Sequence, residues 1–101
     1  MASRVDLHKE LERLLGLKHV YYQAPESVKM EYPAIRYSRS DVNTKSANNK
    51  PYMHKNKYEI IVIDRKPDNA VINEILKMPM STYDKHYTAD NLNHDVITLY
   101  Y

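Results

Sequence analysis

The sequence predicts an α+β fold: a mainly antiparallel sheet of about five strands, a mixed sheet also being open, with two helices packed on one face. Three observations carry that expectation. Leucines recur at helical spacing near the start of the chain, several short segments alternate or run apolar, and one further helical stripe interrupts them. The 101 residues suit a single domain over 1–101 and leave no room for another.

The first helix is predicted over residues 4–15. Ser3 is placed to cap it, with Asp6 three residues on, and Leu7, Leu11, Leu14 and Leu15 form its apolar stripe. Gly16 stands where a left-handed cap is wanted. Val20-Tyr21-Tyr22 reads as a short strand stopped by Ala24-Pro25, residues 26–31 as a turn, and 34–39 as a strand with one wet face. Residues 40–57 are read as a flexible loop, because no apolar cluster falls within them. Tyr58 to Asp64 is the most apolar run and the best central strand. Pro67-Asp68 is expected to open the second helix, with Asp68 as its cap, and Pro79 to end it after about Met78. Ser81 to Thr88 and Asp95 to Tyr101 read as two more strands about a turn at 89–93. The last strand is expected in the core, with an edge position that augments a neighbour's sheet as the alternative.

Composition narrows the chemistry. Without cysteine there is no disulfide, thiolate metal site or cysteine nucleophile. One glycine is too few for a dinucleotide fingerprint, a phosphate loop or a glycine-flanked serine nucleophile. The charged first residues predict no signal peptide, and no apolar run approaches the roughly 20 residues of a spanning helix. Fifteen basic against 13 acidic residues is a small excess for a duplex binder. All ten aromatics are Tyr, a residue suited to half-buried and interfacial positions. A small, soluble, intracellular protein built for contact is the expectation.

Three constellations carry chemistry, each weighed against a plainer reading. His86, Asp90 and His94 are the nearest approach to a metal set. A turn centred on 89–91 would bring the histidines face to face, about 5 Å apart at their roots, with Asp90 or Asp95 as a third ligand. Polar hairpin residues are the better reading, and no metal is expected. Asp64, Asp68, Asp84, Asp90 and Asp95 could pair for acid–base work, but capping explains Asp68 and the turn explains Asp90. The loop carrying Lys45, Lys50, Tyr52, His54, Lys55 and Lys57, with Tyr58 beside it, could bind single-stranded nucleic acid by neutralisation and stacking. An arm that orders against a protein partner is preferred.

Three segments together resemble a known family: Tyr32-Pro33-Ala34-Ile35-Arg36-Tyr37, then Ile61-Val62-Ile63-Asp64-Arg65-Lys66-Pro67-Asp68, and then the stretch from Tyr83 to Asp95, Tyr-Asp-Lys-His-Tyr-Thr-Ala-Asp-Asn-Leu-Asn-His-Asp. The set is similar to the small neck proteins of long-tailed bacteriophages, described as tail terminator, tail completion or minor capsid proteins. The resemblance implies an assembly protein of the virion, with no catalytic residue and no cofactor. It implies an α/β sandwich subunit in a homo-oligomeric ring, commonly a hexamer, capping the head-proximal end of the tail tube. The implied partners are further copies of the chain, the tail tube protein, head-connector and neck proteins, and sheath or other tail proteins. No membrane is implied, and nucleic acid only as DNA passing through the ring lumen.

A ring closes through a heterologous contact repeated by rotation, so each subunit needs two different adhesive faces. Asp90, Asn91, Leu92, Asn93 and His94 are expected to form a turn against a neighbour, a self-contained hairpin being the equal alternative. The loop from Val42 to Lys55 is the candidate arm toward the tube or the adjacent ring. Arg36, Arg39 and Arg65 are candidates for ion pairs across the contact. The rivals are a head-closure or connector adaptor, a type more often helical or barrel-like, and a small nucleic-acid-binding module.

Overall fold

A computed structural model describes residues 4–24, 29–42 and 56–101. The elements run α1 (Arg4–Leu15), β1 (Val20–Tyr22), β2 (Ala34–Val42), β3 (Asn56–Asp64), α2 (Val71–Leu76), β4 (Ser81–Ala89) and β5 (Leu92–Tyr100). The sheet order is β1-β2-β3-β5-β4. β1 lies parallel to β2, and every other pair is antiparallel. The fold is therefore α+β with a mixed five-stranded sheet and two helices, as the sequence predicts.

Strand alternation decides which residues meet the helices. Ile35 and Tyr37 of β2, Tyr58, Ile60 and Val62 of β3, and Ile97 and Leu99 of β5 form one buried layer. Leu7 and Leu11 of α1 and Val71 and Ile75 of α2 close over it. Burying each such aliphatic side chain contributes about 1.5–3 kcal/mol. β3 takes the central place in the sheet, as its apolar run implies. The opposite, helix-free face holds a smaller buried patch of Ala34, Ile63 and Val96.

Gly16 follows α1 at φ +77° and returns its N–H to the Glu12 carbonyl at 2.9 Å, which is the expected left-handed stop. α2 departs from expectation. It starts at Val71, not beside Asp68, and ends at Leu76. Ala70, not Asp68, is the N-cap and makes no side-chain cap bond. Asn69 ahead of it supplies the acceptor, its Oδ1 taking the Val71 N–H at 2.9 Å while its amide nitrogen donates to Asp64 Oδ2 at 2.8 Å. At the far end, Ser81 Oγ donates to the Leu76 and Met78 carbonyls at 3.2 and 2.7 Å, satisfying groups the short helix leaves open.

Two further expectations are corrected. Residues 40–42 belong to β2 and Asn56 and Lys57 to β3, so the predicted loop is shorter at both ends. β5 begins at Leu92, so the predicted turn contracts to Asp90 and Asn91. The last strand lies between β3 and β4, inside the sheet as expected, and the edge is β4, exposed from Thr82 to Ala89.

Candidate interaction site

The β4–β5 hairpin decides most of the predicted site. Asp90 and Asn91 have φ +54° and +62°, and Ala89 pairs with Leu92. Positive φ at both central residues defines a two-residue turn whose twist matches that of paired strands. Leu92, Asn93 and His94 are consequently strand residues. The two-residue turn also sets His86 opposite Asp95, and His94 opposite Tyr87. A shift of one residue in register exchanges the faces of a strand, so the histidines lie on opposite faces instead of meeting. His94 stacks on Tyr87, centroids 4.6 Å apart and planes 11° from parallel, and the Lys85 ammonium lies 5.8 Å from the Tyr87 centroid. His86 Nε2 lies 3.1 Å from Asn93 Oδ1. Among the described residues no three His, Asp or Glu side chains gather as a metal set.

The aspartates are held separately. Asp64 Oδ1 accepts the Lys66 N–H at 3.1 Å, and Asp84 accepts the Thr98 hydroxyl. Asp95 accepts the Tyr83 hydroxyl at 2.6 Å. That bond holds the phenol proton, and the Tyr83 hydroxyl titrates above its ordinary value because of it. Asp95 is 6% exposed and is the one buried charged residue among those described. It lies in a cleft of 380 Å³ between the β3–α2 connection, the first turn of α2 and the β4–β5 pair, lined by Pro67, Asp68, Asn69, Ile72, Asn73 and Tyr83.

Lys45, Lys50, Tyr52, His54 and Lys55 lie outside the described residues. Of their group, Lys57 lies in β3 opposite Tyr100. Tyr58, read as a stacking partner for bases, is 1% exposed and belongs to the core. Its position in β3 turns the ring toward α1, where no base could reach it. Arg36 donates to the Ala24 carbonyl at 3.5 Å, while Arg39 and Arg65 are exposed. Arg65 lines a surface hollow with Tyr32, Asp90, Asn91 and Leu92, which joins the turn to the end of β3.

Two groupings escape sequence reasoning. One is the Tyr83–Asp95 pair. Its signal was the parity of β5, because Asp95 shares a face with Ile97 and Leu99 and so points inward. The other is a polar cluster under α1, where Tyr37 is 1% exposed. Its hydroxyl accepts from Arg4 at 3.3 Å and lies 2.8 Å from His8 Nδ1. Arg4 also lies 4.4 Å above the Tyr22 ring. Burial raises the Tyr37 hydroxyl above its usual range, although Arg4 pulls the other way. Arg4 and His8 share the helical spacing of Leu11 and Leu15, so the period of α1 was the signal for both, and their polarity alone kept them out of the apolar stripe.

The chain matches no protein-family model and no curated protein sequence.

Proposed function

We propose that this chain is a structural subunit of a phage neck, a tail terminator or completion protein that forms a ring on the head-proximal end of the tail tube and joins it to the head connector. The sequence segments that resemble this family lie in the described sheet and its connections, at 32–37, 61–68 and 83–95. The observation that carries the reading is the asymmetry of the sheet. One flank ends in β4, exposed from Thr82 to Ala89, and the other in the three-residue β1. Two unlike flanks on one subunit are what a head-to-tail contact repeated by rotation uses. The hairpin hollow with Arg65, Asp90 and Asn91 is a second point where a neighbour could seat. Asp90, Asn91 and the arginines act in this reading by fit and charge, with no bond made or broken.

The test is the mass of the purified chain in solution, together with electron micrographs of particles lacking it. The expected results are a ring or a chain that rings on tube ends, and tails of uncontrolled length or unjoined to heads. Tails of normal length joined to heads in its absence overturn the assignment.

A further inference from the structure

Asp95 is 6% exposed, and the Tyr83 hydroxyl is its one side-chain hydrogen-bond donor among the described residues. Those residues supply it with no ion pair. His86, opposite it on β4, is turned to Asn93 instead. A carboxylate withdrawn from water is costly unless a cation or several donors replace that water, and one phenol is a thin replacement. No described side-chain oxygen or nitrogen is both fully buried and without a hydrogen bond. The second Asp95 oxygen therefore reaches the surface of the 380 Å³ cleft that Asp95 lines.

The walls suit one kind of occupant. Tyr83, 42% exposed, offers a flat ring beside the carboxylate, Asp68 adds a second negative charge, and Asn69 and Asn73 add polar groups. A planar guanidinium can donate to a carboxylate while lying against an aromatic face. Among the described arginines, Arg13 alone pairs with a carboxylate, and Arg39 and Arg65 are exposed. Arg39 lies on β2, toward the β1 flank, whereas the cleft lies toward the β4 flank.

We infer that the Asp95 cleft is a socket for an arginine side chain of a neighbouring copy, which donates to the free Asp95 oxygen and lies on Tyr83. The identity of the donor as a second copy rests on the ring reading, whereas the preference for a guanidinium does not.

Amide NMR spectra of the full chain, titrated with N-acetyl-arginine amide, test the socket. N-acetyl-citrulline amide has the same shape without the charge and serves as the control. Saturable shifts at Asn69, Asn73, Tyr83 and Asp95 are expected with the arginine probe, and none with citrulline or in Asp95→Asn. Self-association of Asp95→Asn, and of Arg39→Gln or Arg65→Gln, is expected to weaken about tenfold or more, the loss of one charge-assisted bond. Spectra that give no saturable shift with the arginine probe at these residues overturn the inference. Rings that form with unchanged strength in Asp95→Asn overturn it and leave the ring reading standing. Arginine binding by a chain that never oligomerises upholds the guanidinium site and removes the ring reading.

Discussion

The hydroxyl of Tyr37 lies 2.8 Å from His8 Nδ1, so the buried tyrosine of β2 is tied to the helix that covers it. Arg4 donates to the same oxygen, so two side chains of α1 meet at one atom of the sheet. Tyr37→Phe keeps the packing and strands only partly exposed partners, so a loss of about 1 kcal/mol is expected in urea denaturation. Tyr37→Ala opens a cavity against Tyr22 and Tyr58 and is expected to cost about 3–5 kcal/mol.

Alkali is expected to destabilise this chain through three of its tyrosines. The hydroxyls of Tyr37 and Tyr101 are raised by burial and that of Tyr83 by its bond to Asp95. A raised folded pKa stabilises the neutral phenol. The contribution is complete below the unfolded value of about 10 and is lost as pH climbs through the higher folded values. Denaturation midpoints measured from pH 8 upward should fall above about pH 10, and Tyr37→Phe should flatten that fall.

Gly16 is required by its backbone and not by its surroundings. Its φ is +77°, and a β-carbon added there meets nothing within 4 Å. Gly16→Ala should therefore cost about 1–2 kcal/mol through left-handed strain alone. Gly16→Asn should recover part of it, because Asn tolerates that region. Thermal melts of the three proteins decide between strain and clash.

The hairpin turn gives the opposite sign. Asn91 already accepts φ +62°, and glycine accepts it more readily. Asn91→Gly should be neutral or stabilising by a few tenths of a kcal/mol, roughly, and Asn91→Ala destabilising by about 1 kcal/mol. If both variants melt alike, the turn is not held in the two-residue form.

Local pattern was enough for the fold class, since it depends on which residues are apolar and at what period. The leucine stripe of α1, the Gly16 stop and the apolar run of β3 read correctly from neighbours in the chain, and the turn before β5 in position but not in length. The interaction site was less legible. Whether His86 meets His94 or Asp95 depends on one residue of turn length, and composition does not resolve that. Asp68 and Asn69 both offer oxygens to the start of α2, and it is Asn69 that takes the Val71 N–H, its amide held by Asp64.

The order of residues alone marked two helices, five strands and the absence of cysteine chemistry, because those follow from spacing and composition, while the bounds of α2, β2, β3 and β5 came out differently. Only the folded chain decided which strands flank β5, that Tyr58 is core, and that Asp95 is buried beside an open cleft. The physical reason is that strand pairing joins residues distant in sequence, and a strand's register fixes which face, and so which neighbours, each side chain receives.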